Sequence, residues 1–263
     1  MEKKIRIMGI VNINEDSFFS GSRATTPEKI REKLTTMTSE GVDIFDFGAC
    51  STRPGSTPID ADTEWARLQP ALKIFKEEFD NVPFSVDTFR ESVVRRCYEE
   101  FGDFIVNDIS AGEDDSAMLS TVGKLGLRYI AMHKRGTPET MQSLCQYDNL
   151  TEDIIQYFRE FNMKAEENGI KDWILDPGFG FAKTMDQNYE LMDNLDKFQI
   201  LGREILVGIS RKSFIYKKLG ITAEEALPAT SDLHLTALEH GADILRVHDV
   251  GAAVAVRERF LTK

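Results

Sequence analysis

The chain has 263 residues, of which 41% are hydrophobic and 10% aromatic, enough for a sizeable core in one large α/β barrel or two ordinary domains. A formal net charge of −12 argues against nucleic acid or an anionic membrane as the main partner. No apolar run of about 18 residues and no leader pattern are present, and the three scattered cysteines predict neither a disulfide framework nor a zinc site, so we expect a cytoplasmic protein.

Short apolar segments alternate with helical patterns along the whole chain. The predicted strands begin at Ile5, Val42, Pro83, Asp103, Leu127, Asp172, Glu204 and Ala242. The predicted helices lie at roughly 27–40, 62–79, 90–100, 114–124, 150–168, 186–195, 223–239 and 251–261. Thr26-Pro27 and Thr88 are predicted helix starts. Eight strand–helix units in about 250 residues predict a single-domain (β/α)8 TIM barrel over residues 1–263, with a doubly wound open sheet as the alternative.

Polar residues follow every predicted strand, and in a barrel the chemistry lies at these carboxyl ends. In chain order they include Asn12 and Asp16, Asp46 with Thr52, Arg53 and Pro54, Asp87, Asn107, His133 and Arg135, Asp176, Lys212 and Ser213, and Arg246 with His248. The opposite ends of the strands carry no comparable set. An acidic protein that binds an anionic substrate has to gather its cations locally. The residues expected to do so on this face are Arg53, Arg135, Arg211, Lys212, Arg246 and His248.

The segment from Asp176 to Thr184 is the most informative of these strand ends. Asp176 ends a short apolar run, Pro177 stops strand pairing, and two glycines allow close approach of a ligand. Phe179 and Phe181 place flat apolar surface beside the carboxylate. Such a site suits a planar, nitrogen-rich ring, whereas an isolated Asp-Pro-Gly is most often an ordinary turn.

The ordered set of strand-end motifs resembles dihydropteroate synthases, a pterin-binding family of folate biosynthesis. The matching motifs are MGIVN at 8–12, DSF at 16–18, STRPG at 51–55, SVDT at 85–88, NDIS at 107–110, MH at 132–133, DPGFGF at 176–181, SRKS at 210–213 and RVHDV at 246–250. The resemblance implies a (β/α)8 barrel that joins 6-hydroxymethyl-7,8-dihydropterin pyrophosphate to 4-aminobenzoate. Pyrophosphate would leave ahead of attack by the amine, and 7,8-dihydropteroate would form. The chain departs from the family pattern with Asn14-Glu15, Ala49-Cys50 and Ala182, none of which removes a charged group that the family uses.

The resemblance also implies a role for individual residues. The pterin would be held by Asp87, Asn107, Asp176, Phe181 and Lys212. The pyrophosphate would be held by Arg53, Arg246 and His248, with Mg²⁺ on Asn12 because magnesium prefers oxygen ligands shared with phosphate. The 4-aminobenzoate would meet Thr52, Pro54, Phe179 and Ser213. Asp16, Arg53 and Lys212 would take part in catalysis, and the protein would be a homodimer acting on small molecules.

The residues themselves support some of these roles and leave alternatives open for others. Arg246 and His248 are two apart on one strand end, so their side chains point the same way, and Ser213 opens a helix whose free N–H groups favour a carboxylate. Asp87 alone could cap the following helix, and Asn107 could be a turn residue. Arg211 favours a solvated salt bridge, and His234 and His240 are expected to be structural or surface residues of a helix.

Three other functions compete with this interpretation. A methyltetrahydrofolate methyltransferase barrel would share the pterin carboxylate, but it has no need of a diphosphate clamp. A catalytically silent paralogue and a phosphate-sugar barrel enzyme are the others. Cys50 is a poor nucleophile candidate because no base accompanies it.

Overall fold

The computed structural model describes residues 4–13, 26–50, 59–137 and 140–263. Eight parallel strands form its centre: β1 (Arg6–Asn12), β2 (Ile44–Gly48), β3 (Phe84–Asp87), β4 (Ile105–Asp108), β5 (Arg128–Met132), β6 (Trp173–Asp176), β7 (Leu206–Val207) and β8 (Ile244–Val247). They pair in the order β6-β5-β4-β3-β2-β1-β8-β7. A parallel bridge between Leu175 and Ile205 joins the two ends of this order, so the sheet closes into a (β/α)8 barrel and the open-sheet alternative is wrong.

The helices surround the barrel and follow its strands. They are α1 (Pro27–Ser39), α2 (Ala61–Glu78), α3 (Glu91–Phe101), α4 (Met118–Leu125), α5 (Leu150–Glu167), α6 (Met185–Asp193), α7 (Ser213–Leu219), α8 (Leu227–Glu239) and α9 (Val250–Leu261). All eight predicted helices are present. A further helix, α7, begins at Ser213, where the sequence analysis expected a helix to open, but its seven residues are too few to produce a clear helical period of their own. Among the described residues, none of these helices combines the length and apolarity needed to cross a membrane.

Two helix starts show how local chemistry sets the element boundaries. The start predicted at Thr26-Pro27 is confirmed, since the Thr26 side chain accepts from the amide of Lys29 and Pro27 is the first helical residue. The start predicted at Thr88 is wrong. The residue that precedes α3 is Arg90, which makes no side-chain cap, and Asp87 lies outside the helix.

The barrel interior is layered, and this layering positions the site. One cluster of buried side chains, drawn from seven of the strands, forms an apolar floor: Met8, Ile44, Ile105, Ile130, Ile174, Leu206 and Ile244. Because strand side chains alternate, the residues two positions further on also face inward and form the next layer: Ile10, Asp46, Asn107, Met132, Asp176, Gly208 and Arg246. From β3, Ser85 and Asp87 contribute to the same end. The barrel interior therefore changes from apolar to polar within two residues along its strands.

Candidate active site

Arg246 lies at the centre of the polar layer and binds two carboxylates. Its Nε and Nη2 donate to Oδ2 of Asp46 at 2.7 and 2.6 Å, and Nη2 also donates to Oδ2 of Asp87 at 2.5 Å. The Arg246 side chain is about one-fifth exposed, whereas Asp46 is completely buried. The predicted anion-binding arginine is thus already engaged by two acidic partners, which fix its orientation.

Asp46 is a site residue that the sequence analysis noted only as a strand end. Its second oxygen, Oδ1, accepts from Oγ of Ser85 at 2.6 Å and from Nδ2 of Asn107 at 3.2 Å. The signal that could have revealed it is a single carboxylate within an apolar strand. Phe45 and Phe47 are also buried, so the sequence does not show which face of β2 points into the barrel. Asp46 therefore looked like part of a buried strand until the barrel direction was known.

Asp87 and Asn107 are brought together as predicted, since they pair across β3 and β4. Neither is the cap or turn residue of the alternative interpretations: each lies within a strand, and Asp87 is bonded to Arg246. Burial raises the pKa of Asp87 to about 7, against the opposing charge of Arg246. Near neutral pH this carboxyl is divided between its neutral and ionised forms.

Asp176 lies across the barrel from Asp87 and is 8% exposed. Its Oδ1 accepts from the amide of Gly178 at 2.8 Å. Gly178 has φ of 73°, and a Cβ there would lie 1.9 Å from the carbonyl oxygen of His133, so the turn requires glycine. Burial raises the pKa of Asp176, and the charge of Lys212 opposes that shift.

Gly208 leaves space between the two sides of this layer. A Cβ at Gly208 would lie 3.9 Å from Oδ2 of Asp176 and 3.9 Å from Cβ of Arg246. A larger side chain would extend from β7 into the region bounded by these two charged groups. Glycine at this inward position therefore keeps a slot open between these two charged groups, above the apolar floor.

Lys212 and Phe181 cover the slot from the β7 and β6 sides. The Nζ of Lys212 donates to the carbonyl of Phe179 at 2.5 Å and lies 4.9 Å from the centroid of the Phe181 ring. Burial lowers the pKa of Lys212 to about 8, although the charge of Asp176 opposes this. At neutral pH Lys212 is mostly protonated and can donate to a carbonyl oxygen.

Phe179 differs from its prediction. Its ring is completely buried and packs against Phe214, with centroids 6.3 Å apart. It belongs to the apolar core outside the strands, and its backbone carbonyl, not its ring, meets the site through Lys212. The role proposed for Phe179 in lining the aminobenzoate pocket is therefore corrected to packing.

Lys183 is a second residue that the sequence analysis did not single out. It is buried, and its Nζ donates to the carbonyls of Gly178 at 2.9 Å and Phe181 at 3.1 Å. The same Nζ lies 3.1 Å from Nδ1 of His133. Burial lowers the pKa of Lys183 to about 7. One side chain thus ties together the turn that presents Asp176 and Phe181, and it accounts for His133, for which no role was predicted.

The ends of β7 and β8 are joined by polar side chains. The amide of His248 donates to Oγ of Ser210 at 3.2 Å, and Nδ1 of its ring lies 3.1 Å from the same oxygen. Arg211 makes the predicted salt bridge, with Nε and Nη2 donating to Asp249 at 2.8 and 3.0 Å. The Arg211 side chain is buried, however, and not solvated. Ser213 is the exposed first residue of α7, next to Lys212.

Several predicted site residues lie outside the described part of the chain: Asp16, Thr52, Arg53 and Pro54. The predicted metal ligand Asn12 is described. It ends β1 opposite Gly48 and is partly exposed. The described residues contain no group of three or more His, Cys, Asp or Glu arranged to hold a metal. One amide oxygen still fits Mg²⁺, which commonly takes one or two protein oxygens and fills its shell with water and substrate phosphate.

Two remaining predictions concern side chains away from the chemistry. His234 is buried within α8, and Nδ1 of the His240 ring lies 2.9 Å from the carbonyl of Met192, so both serve packing. Burial raises the pKa of the Cys50 thiol, which keeps it protonated and a weak nucleophile, in agreement with its prediction.

Comparison with known proteins gives a consistent result. Residues 8–248 match the family described as pterin binding enzymes. The dihydropteroate synthase of Clostridium beijerinckii is 37% identical over 247 residues, covering 93% of this chain and 88% of the relative. A Yersinia pestis dihydropteroate synthase in a sulfonamide drug complex superimposes with a TM-score of 0.93 at 31% identity, covering 98% and 94% of the two chains. The dihydropteroate synthase of Thermus thermophilus in complex with 4-aminobenzoate superimposes with a TM-score of 0.86 at 31% identity and the same coverage.

Proposed function

The chain belongs to the dihydropteroate synthases within the pterin binding enzymes, and we infer that it joins 6-hydroxymethyl-7,8-dihydropterin pyrophosphate to 4-aminobenzoate. The observation that carries this inference is the polar layer above the apolar floor. Asp176, Asn107 and Asp87 offer oxygen acceptors from three strands, and Lys212 offers a donor. A pterin is a flat ring with N–H and amino donors and one carbonyl acceptor, so the set is complementary to it.

The pyrophosphate end of the substrate would extend toward the ends of β7 and β8. The His248 ring, which contacts Oγ of Ser210 through Nδ1, can donate to a phosphate oxygen. Arg246 has a narrower role than its sequence pattern suggested, because Asp46 and Asp87 already take its Nε and Nη2. Its remaining N–H groups are available for phosphate, and Arg53 would add a second guanidinium. Magnesium held by Asn12 would supply further charge stabilisation of the leaving group.

In the reaction, the C–O bond to the pterin methylene breaks and pyrophosphate leaves with the bonding electrons. The positive charge left on carbon is delocalised into the pterin ring, with the Phe181 ring beside it. The amine nitrogen of 4-aminobenzoate then forms the C–N bond and releases a proton to water. The protein supplies no covalent nucleophile. Its own contribution is to hold the ring, stabilise charge and exclude water.

The second substrate would bind against Phe181 and at the start of α7. Ser213 presents its hydroxyl and the first backbone N–H groups of that helix to the 4-aminobenzoate carboxylate. Thr52 and Pro54 would cover the ring, and Asp16 with Arg53 and Lys212 would complete the catalytic set. We also propose that the enzyme is a cytoplasmic homodimer, which sedimentation of the purified protein would test.

The function is tested by measuring pyrophosphate release from the pterin diphosphate with and without 4-aminobenzoate. We expect release to depend on the amine and to be matched by 7,8-dihydropteroate formation. Asp176→Asn should abolish most of this activity. Asp172→Asn is the matched control, because Asp172 precedes the same strand and its side chain is 64% exposed at the opposite end of the barrel. Methyl transfer from a folate, or no pyrophosphate release by a folded protein, would overturn the proposal.

A further inference from the structure

Asp46 is completely buried beneath the ligand slot. The hydrogen bonds of its side chain all go to residues of the site. Oδ2 accepts from Arg246, and Oδ1 accepts from Ser85 and Asn107. We propose that Asp46 is a positioning residue that fixes the orientation of the Asn107 amide, and through it selects ligands with a donor at the facing ring position. This inference rests on the proposed function.

The orientation follows from the chemistry of the pair. An ionised carboxylate can only accept hydrogen bonds, so the NH2 group of Asn107 has to face Oδ1 of Asp46 at 3.2 Å. The reversed amide would place its carbonyl oxygen against the carboxylate oxygen, which is repulsive. Asp46 cannot rotate to relieve that contact, because Nε and Nη2 of Arg246 both hold its other oxygen. The carbonyl oxygen of Asn107 is therefore turned away from Asp46.

This orientation has a consequence for the ligand. Asn107 on β4 pairs with Ile130 of β5, and Asp176 on β6 pairs with Met132, the next inward-facing residue of β5. Asn107 and Asp176 then both offer oxygen acceptors to a ring bound above the floor. A 2-amino group carries two hydrogens and can donate to both residues at once. A ring with a 2-oxo group would instead place an acceptor against two acceptors, and a buried polar group without a partner is costly.

Asp46→Asn keeps the size of the side chain and reverses the chain of hydrogen bonds. Arg246 still requires an acceptor, so the new carbonyl oxygen faces Arg246 and the new NH2 group faces Ser85 and Asn107. Asn107 then turns its own carbonyl toward residue 46 and presents its NH2 group to the ligand. The variant should lose its preference for a 2-amino ring. Adding Asn107→Asp restores an acceptor facing the ligand without changing the total charge of the pair.

The experiment compares calorimetric affinities for two ligands, pterin-6-carboxylate and lumazine-6-carboxylate, which differ in having a 2-amino or a 2-oxo group. The wild type should prefer the pterin by at least about tenfold, as expected when a buried hydrogen bond is lost. Asp46→Asn should reduce that ratio by about tenfold or more, and the double variant should restore it. Ser85→Ala, the matched control, removes a bond to Asp46 without freeing the amide, so the ratio should be unchanged.

The results separate a positioning role from a merely structural one. If Asp46→Asn weakens both ligands equally, or the wild type binds them equally, the inference is overturned. Neutron diffraction of the wild type, which distinguishes the amide nitrogen from oxygen, tests the same orientation even if the variant does not fold. Nitrogen facing Asp46 supports the inference and oxygen facing Asp46 overturns it. A wild type that binds neither ligand and releases no pyrophosphate would instead contradict the proposed function.

Discussion

Arg246→Met should destabilise the protein strongly because it leaves two inward-facing carboxylates without their cation. Asp46 is completely buried and Asp87 is about one-fifth exposed. Breaking a fully buried ion pair by removing one partner typically costs about 3–5 kcal/mol. Since Asp87 is partly hydrated and Asp46 keeps its bonds to Ser85 and Asn107, we expect about 2–4 kcal/mol. For a chain of this size that corresponds to a fall in Tm of roughly 4–16 °C.

The loss should depend on pH in a defined direction. The charge of Arg246 opposes the burial that raises the pKa of Asp87 to about 7, so its removal raises the folded-state pKa further. An acid with a folded pKa above its unfolded value favours folding at low pH, and this contribution disappears as pH rises through the folded pKa. The Tm difference between variant and wild type should therefore be smaller at about pH 5.5 than at about pH 8.5.

Differential scanning calorimetry at both pH values measures the effect, and Arg257→Met provides the control. Arg257 pairs with a single partly exposed carboxylate, Asp43, which keeps a bond from the amide of Ile7. Its loss should cost less than about 1 kcal/mol with little pH dependence. In a double-mutant cycle, Asp87→Asn should reduce the cost of Arg246→Met by about 1–3 kcal/mol. Additive losses, or equal losses at both pH values, would refute the reasoning.

Three shorter predictions concern binding. Asp176→Asn should weaken pterin binding by about 1.5–3 kcal/mol, since it removes a charged acceptor, and unchanged calorimetric affinity would contradict its assignment. His248→Ala should weaken binding of the diphosphorylated pterin far more than of its free alcohol, whereas equal losses in the same titration would indicate packing alone. Lys183→Met leaves the carbonyls of Gly178 and Phe181 without their donor. It should therefore raise KM for the pterin substrate more than KM for 4-aminobenzoate, and an equal rise in the two constants would argue against this role.

The alternation of strands and helices was enough to predict the barrel, because each strand is short, apolar and ended by a recognisable turn. The positions of Asp87, Asn107, Asp176 and Lys212 followed from one rule about strand ends. All four lie in or beside the same inward layer.

The sequence did not predict the side to which certain side chains point, although it placed those residues at the correct strand ends. The segment after Asp176 contains three residues with positive φ, at Gly178, Gly180 and Ala182, so the strand alternation that would assign each aromatic ring to a side is lost. Phe179 therefore turned out to face the core while Phe181 lies beside Lys212. The role of Asp46 in the site was missed for a related reason. Its strand is apolar on both sides of it, and only the closed barrel reveals which side is the site.

The weakest junction of the barrel wall lies beside the ligand site, so a bound ligand would strengthen the barrel itself. Between β6 and β7 the wall is joined by one bridge, at Leu175 and Ile205, and β7 is two residues long. Asp176 ends β6 on one side of this junction, and Lys212 follows β7 on the other side. A ring held by both residues would act as an extra rung across the gap. Exchange of the Leu175 amide hydrogen, which is bonded to the carbonyl of Glu204 across this junction, should then slow when the pterin binds.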